Sequence, residues 1–408
     1  VASTEGKTMK ARTAAAPARG SRPRNRKAQI VSIAAELFHR QGYHAVTMEE
    51  IASAVGITAG ALYRHFRNKQ ELLARTVLDG LLAFETLVDN HTAGDVDGLL
   101  RAMAALTLDR RDLGVLWQRE SRNLPVPERD QLRRRFRSIA ARAATTLVAA
   151  RPGLSPADAD LLVWAIFATF ASPSHHSVSL PRARFEDLLH AMGSTLTEVA
   201  LPQAQGPSAD AAPSDRPRPG LARASRREVL MDAAARLFNE RGYQAVSMED
   251  IGAAAGISGA GIYNHVTAKS DLLVAALTRA ADALQLDASR AFATATSPRD
   301  ALDLLLRSYI DLTVSHSHLT GTLITEVIHL PAEQRHTIRR LQYDYVSEWV
   351  HLLTAERPEL IEAEARVVVH AVFTTINDLA RIDHLRERGD LSGDLLAACQ
   401  ALLLARTG

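Results

Sequence analysis

The chain has one cysteine, Cys399, in 408 residues. A lone thiol excludes an internal disulfide and a cysteine-built metal site, and fits a reducing compartment. Aromatic residues make up only 5% and formal net charge is only +2. Long apolar runs are also absent. The strongest, LLVWAIFATF at 161–170, is about half of what a membrane span needs. The first residues are polar and lack a secretory leader pattern. The expectation is a cytoplasmic protein without a membrane partner.

Other absences bear on chemistry. No nucleophile with a base, phosphate-cradling glycine loop or metal constellation occurs at usable spacing, so the expectation is no enzyme, no cofactor and no metal. His175-His176 and His316/His318 lack spaced carboxylate or cysteine partners and are read as surface or satisfied histidines. Cys399, in an apolar helical stretch, is read as core.

What is present is alanine, leucine and helical periodicity. Hydrophobic residues reach 47%, enough for buried cores, and no alternating β-branched run competes. The fold class expected is all-α, and the length suits two to four domains.

Charge is unevenly spread. Residues 1–27 carry eight Lys or Arg against Glu5, with many Ala, Pro, Gly, Ser and Thr. Such a segment cannot build a core. It reads either as a solvated leader or as a basic DNA arm, since SRPRNRK at 21–27 lies directly before the first helical pattern.

From Arg24 a stripe of Ile30, Ile33, Ala34, Leu37 and Phe38 marks a helix that Gly42 ends. Thr47 and Glu50 form a capping box before a short helix at about 48–54. Gly56 turns the chain, Ile57 fills the core, and Thr58 caps a third helix running to about Tyr63–His65. A fourth starts near Lys69. Two short helices joined by a glycine turn, the second opening on a capping hydroxyl, describe a helix-turn-helix.

The segment recurs 200 residues on. GITAGALYRHFRNK at 56–69 becomes GISGAGIYNHVTAK at 256–269, and nineteen of the forty positions in 34–73 are identical to their partners in 234–273. Ser247, Asp250 and Ser258 keep the capping chemistry. Leu124-Pro125 pairs with Leu330-Pro331, and Arg151-Pro152 with Arg357-Pro358, now at an offset of 206. Each half is therefore a complete unit of about two hundred residues. The divisions expected are an arm at 1–23, heads at 24–84 and 223–283, bodies at 85–199 and 284–408, and a Pro/Ala-rich linker at 200–222.

The copies differ in charge. Residues 21–80 hold nine basic and five acidic residues, net +4; residues 221–280 hold seven and six, net +1. Arg64, Arg67 and Asn68 become Asn264, Thr267 and Ala268, and Gly259 and Gly261 enter the second recognition helix. The expectation is an asymmetric pair, with a strong first head and a weaker second one reading a different half-site. A wholly inactive second head is the alternative.

The series Leu37-Phe38…Gly42-Tyr43…Thr47…Ile51-Ala52…Gly56-Ile57-Thr58…Leu62-Tyr63…His65-Phe66…Lys69…Leu72-Leu73 resembles the DNA-binding domain of TetR-type transcriptional regulators, here in two tandem units. The resemblance implies a sequence-specific regulator, by default a repressor, whose partner is a double-stranded DNA operator. It implies phosphate contacts from Thr47, Tyr63 and Lys69, with Thr58, Ala59, Gly60, Ala61, Arg64 and His65 facing bases. For Tyr63 and His65, packing inside the head is the alternative. In the second head Ser247, Ser258, Gly259, Ala260, Tyr263, Asn264, His265 and Lys269 take the same places. Arg22, Arg24 and Arg26 are spaced to enter a minor groove.

The resemblance also implies a helical body that binds a small effector, here of apolar class. Trp117, Glu120, Trp164, Tyr309, Glu326 and Trp349 are the candidate pocket residues, plain core being the alternative. Pairing helices at 155–173, 183–200, 360–381 and 390–405 would make the chain its own pseudo-dimer, with a further homodimer left open. The competing function is a helical ligand-binding or interaction module in which only the first head, or neither, binds DNA.

Overall fold

The computed structural model describes residues 26–202, 225–257 and 259–406. Among them every regular element is helical and no strand occurs. Arg22, Arg24, the 1–23 arm, most of the 200–222 linker and Ser258 lie outside the described residues. So do the side chains of Gly259 and Ala260.

The first head is α1 (Arg26–Gln41), α2 (Met48–Val55) and α3 (Ala59–Tyr63). Ile30, Ala34 and Phe38 of α1 meet Ile51 of α2 and Leu62 of α3 in one fully buried knot. Helix α4 (Lys69–Asp89) leaves the head and runs into the body. There it joins α5 (Val96–Asp109) and the short α6 (Leu113–Val115), which continues through a wide π-helical turn at Leu116–Glu120 and a tight 3-10 turn at Ser121–Asn123. Helices α7 (Val126–Ala150), α8 (Pro156–Ala171) and α9 (Arg182–Glu198) complete the unit.

The second unit repeats the order. Its head is α10 (Arg226–Arg241), α11 (Met248–Ala255) and α12 (Gly259–Ile262). Its body is α13 (Lys269–Thr294), α14 (Pro298–Ser315), α15 (Ser317–Thr325) and α16 (Ala332–Glu356), then α17 (Glu362–Leu379), α18 (Asp383–Arg386) and α19 (Leu391–Leu404).

The pairs that first betrayed the duplication have structural reasons. Pro125 and Pro331 each precede the first turn of a long helix, while Leu124 and Leu330 are buried beside them. Arg151 donates to the carbonyls of Thr197 (2.9 Å) and Val199 (2.8 Å). Arg357 donates likewise to Leu403 O (3.2 Å). Each arginine thus satisfies carbonyls left unpaired at the end of its unit's last helix.

The LLVWAIFATF stretch is buried on every side, because α8 lies between α7 of its own unit and α17 of the other. Thr169 Oγ1 and Thr375 Oγ1 meet at 3.2 Å, and their offset of 206 marks where the halves cross. Helix α9 packs on α19 beside them. Around this apolar centre Arg184 pairs with Glu364, His384 meets Asp160 (2.8 Å), and Arg388 donates to Asp158 (2.7 Å). Burying a large aliphatic or aromatic side chain contributes about 1.5–3 kcal/mol. The apolar seam therefore supplies most of the adhesion, and the peripheral pairs mainly fix its register.

Candidate nucleic-acid interface

Each head is built on a reciprocal cap. Thr47 Oγ1 accepts from Glu50 N (3.2 Å) and Thr47 N donates to Glu50 Oε2 (2.7 Å). In the second head Ser247 Oγ accepts from Asp250 N (3.0 Å) and Ser247 N donates to Asp250 Oδ2 (2.8 Å). Gly56 closes α2 at φ +76° and Gly256 closes α11 at φ +66°, a left-handed geometry that favours glycine. Thr58 Oγ1 then accepts from Ala61 N (3.2 Å), opening α3.

This turn presents α3 outward. Leu62 and Phe66 are fully buried beneath it, whereas Tyr63 is 46% and Tyr263 59% exposed. Arg64, His65, Asn264 and His265 are exposed as well. Packing inside the head, the alternative for Tyr63 and His65, is therefore not what holds them. Arg26 lies in the first turn of α1, where its guanidinium donates to Gln29 Oε1 (2.9 Å). Lys27 Nζ sits 5.2 Å from the centre of the Phe66 ring.

Lys69 occupies an unforeseen place. Its ammonium donates to the carbonyls of Tyr43 and Val46, both at 2.8 Å, and lies 4.4 Å from the Tyr43 ring centre. Lys269 repeats this on Tyr243 (2.9 Å), Val246 (2.8 Å) and the Tyr243 ring (4.3 Å). Burial pushes both lysine pKa values down. With two of three donors spent on backbone, each lysine ties the loop before the helix-turn-helix to the start of the long helix. The sequence hid this because the partners are carbonyls, which carry no residue signature.

The two heads differ where their sequences do. Asn68 caps α4, accepting from Glu71 N at 2.8 Å. Ala268 offers no such acceptor, and its own N–H donates to Asp271 Oδ2 at 3.0 Å. Inside the second head Gly252 and Ile262 stand where Ala52 and Leu62 stand in the first. A Cβ on Gly252 would come within 2.4 Å of Ile262 Cδ1 and 2.9 Å of the Ile257 carbonyl oxygen. The two exchanges are therefore coupled by volume.

The candidate pocket residues divide into two kinds. Glu120 and Glu326 are buried struts between head and body: Glu120 Oε2 accepts Tyr43 N (3.0 Å) and Glu326 Oε2 accepts Tyr243 N (2.9 Å). The aromatics pack on one another. Trp117 and Trp164 lie 4.7 Å and 5.1 Å from Phe136, and Tyr309 and Trp349 lie 4.7 Å and 5.0 Å from Phe373. Burial pushes the Tyr309 phenol up to about 12, against the opposing pull of the Asn377 amide that donates to it and of the Arg381 charge. A cleft of about 20 Å³, room for roughly one water, opens instead between the heads, beside Tyr43, Glu120, Arg122, Tyr243 and Ile328. Neither aromatic cluster lines it.

Among the described residues no group of three or more acidic, histidine or cysteine side chains could hold a metal. No helix among the described residues is long and apolar enough to cross a membrane. The reading of His175 and His176 as surface or satisfied is corrected in part: His176 Nδ1 accepts from Val178 N (3.2 Å), but the Nε2 atoms of both are buried and lack partners, and His176 stacks on His370 at 4.6 Å. Packing of the two units over this turn encloses them. Cys399 is buried in α19, as expected.

Two outward-facing recognition helices, each behind a capped glycine turn, define a helix-turn-helix protein. Residues 30–76 and again 230–276 match the model of bacterial regulatory proteins of the tetR family, and residues 295–406 match a tetracyclin repressor-like C-terminal domain. The chain belongs to the TetR family and carries two TetR units in tandem. It is 30% identical over 115 residues to the HTH-type transcriptional repressor KstR2 of Mycolicibacterium smegmatis, covering 27% of this chain and 56% of the relative. It is 34% identical over 115 residues to the HTH-type transcriptional activator FasR of the same species, covering 28% and 48%. The chain thus spans about half the length of the curated relatives it matches. Among solved structures, the ketosteroid regulator KstR2 of Mycobacterium tuberculosis aligns at 23% identity over 43% of this chain and 95% of that one, with a TM-score of 0.36. The relatives' names are those of transcription regulators, not of enzymes.

Proposed function

We propose that the chain is a sequence-specific, DNA-binding transcriptional regulator of the cytoplasm, acting as an intrachain pseudo-dimer with two unequal heads. By this reading it is a repressor released by a small apolar effector held in the helical bodies. The observation that carries it is the doubled, outward-facing recognition helix with Tyr63 and Tyr263 exposed in equivalent places. The seam of α8 on α17 supports a fixed spacing between heads. Two heads on one face of a duplex would then read half-sites about one helical turn apart, or a multiple of it.

On this reading Thr58, Ala59, Gly60, Ala61, Arg64 and His65 face base edges while Tyr63 reaches phosphate. Thr47, at the exposed start of α2, is a further phosphate contact, and Arg22 and Arg24 extend the footprint into a minor groove. The second head keeps Tyr263 but has lost the cations at 264 and 267. It should therefore bind more weakly and with less salt dependence.

Selection of bound duplexes from random DNA tests the proposal. The expected result is an asymmetric or imperfectly palindromic site with two half-sites. Enrichment of a single half-site would favour the second reading, in which only the first head binds DNA, and the charge loss at Asn264 and Thr267 is what supports it. No enrichment at low salt would reject DNA binding altogether.

A further inference from the structure

The two struts are satisfied differently, and the difference crosses between the units. Glu120 takes its cation from the residue beside it: Arg119 pairs with Glu120 and also donates to the α1 carbonyls of Phe38 (3.1 Å) and His39 (2.9 Å). At the equivalent place in the second unit, 206 residues on, stands Thr325. Its hydroxyl reaches Glu326 Oε1 (2.7 Å) but brings no charge.

The missing cation comes from the other half. Arg122 of the first unit pairs with Glu326, donates to Thr325 Oγ1 (3.4 Å), and lies against the backbone that ends α10. A Cβ on Gly242 would stand 3.1 Å from Arg122 Nε. Glu326 is 0% and Arg122 11% exposed, so the pair is largely withdrawn from water. The residue mirroring Arg122 is Ile328, whose Cδ1 sits 3.2 Å from where a Cβ of Gly42 would be. The first unit thus carries arginines at both 119 and 122, where the second carries Thr325 and Ile328.

We propose that Arg122 is the positioning residue through which the first body holds the second head, by a charge supplied across the pseudo-dimer to Glu326. Glu326 in turn receives the Tyr243 N–H, so a shift of the first body is transmitted to α10 and α11. The first head is held by its own Arg119 and meets the second body at the apolar Ile328 and at His329, which faces His44 across the cleft. The coupling is therefore asymmetric: an ion pair links the first body to the second head, and mainly shape links the second body to the first head. A symmetric homodimer cannot carry this arrangement, because each subunit would need both residues at the same position. Where the coupling bears on DNA, it rests on the reading that the heads bind it.

The test uses the full chain with Arg122→Gln, Glu326→Gln, the double variant and Ile328→Ala, reading amide exchange of 242–257 against 42–57. Arg122→Gln takes the paired guanidinium from a buried carboxylate and leaves it the Tyr243 amide, the Thr325 hydroxyl, His329 at 3.7 Å and the field of the buried Arg381; exchange in 242–257 should rise about tenfold or more while 42–57 stays within about twofold. Arg122→Gln/Glu326→Gln, which removes both charges, should recover most of that protection. Ile328→Ala should affect 42–57 alone. Arg122→Lys, which keeps the charge, covers the case in which the Gln variant does not fold, and should retain protection in 242–257. Equal change in both heads, no change in either, or no recovery in the double variant would overturn the proposal. On the selected duplex, Arg122→Gln should weaken protection of the second half-site first. Failure of every variant and of the parent to bind DNA would reject the regulator reading, while the exchange pattern would still decide the role of Arg122.

Discussion

Lys69 separates two roles that a sequence cannot tell apart: gripping phosphate, and bracing the head that does the gripping. Replacing it by Met keeps the aliphatic stem and removes the ammonium. Lost are two charge-assisted hydrogen bonds to the Tyr43 and Val46 carbonyls and a cation–ring contact. Charged hydrogen bonds contribute about 1.5–3 kcal/mol each and a solvent-accessible cation–ring contact about 0.5–1. Water can reach the freed carbonyls of this part-exposed site, and burial already disfavours the ammonium. The net local cost should be about 2 kcal/mol. At tenfold per 1.4 kcal/mol, amides of α2 and its turn, such as Ile57 N on Ala52 O, should exchange about thirtyfold faster. Tyr63→Ala is the contrast: at 46% exposure it should leave exchange nearly unchanged, and by the proposed function it should weaken DNA binding. Unchanged exchange in Lys69→Met, with DNA affinity lost, would refute the brace. The same logic argues against substituting Lys269 to ask whether the second head binds DNA, since loss of fold and loss of contact would coincide. Tyr263→Ala asks that question cleanly.

Three further outcomes are expected. Gly252→Ala should cost about 1–3 kcal/mol through its clash with Ile262 and with the Ile257 carbonyl; adding Ile262→Leu, which restores the Ala52/Leu62 pairing, should recover the side-chain part of it in chemical denaturation. Burial holds His370 neutral, its pKa depressed to about 4, beside His175 and His176, which are lower still, with Arg366, Arg111, Arg119 and Arg381 adding repulsion. The unfolded chain takes up these protons first, so stability is complete above about pH 6.5 and falls as pH drops toward 4, by about 3 kcal/mol for His370 alone; His370→Gln should flatten that loss in thermal unfolding followed against pH. Finally, Asn264→Arg with Thr267→Arg should steepen the salt dependence of DNA binding by up to about two units of logarithmic slope, measured by anisotropy titration. An unaltered slope would mean those positions lie off the phosphate track.

Much of each head was legible because its determinants are local. A capping box needs Thr47 and Glu50 three residues apart, and a left-handed turn needs Gly56; both act within one helical turn and leave a fixed spacing in the sequence. The apolar stripe of α1 and the burial of Leu62 and Phe66 follow from the same periodicity. The site's supports were not legible. Tyr43 to Glu120 spans 77 residues, and Arg122 to Glu326 spans 204. Neither pairing has a spacing that helical geometry dictates. The candidate list gathered Glu120 and Glu326 as pocket liners on their helical setting, and their partners at the heads emerged only from packing.

The sequence by itself determined the helices, their caps and turns, and the doubling of the unit, because helix propensity and capping are settled among neighbours a few residues apart. Only the tertiary structure decided that Lys69 spends its charge on carbonyls and that the histidines at 175 and 176 are enclosed. It also decided that a glutamate in one half borrows its arginine from the other. Those outcomes depend on which surfaces exclude water together, and burial sets the strength of a charge far more than its identity does.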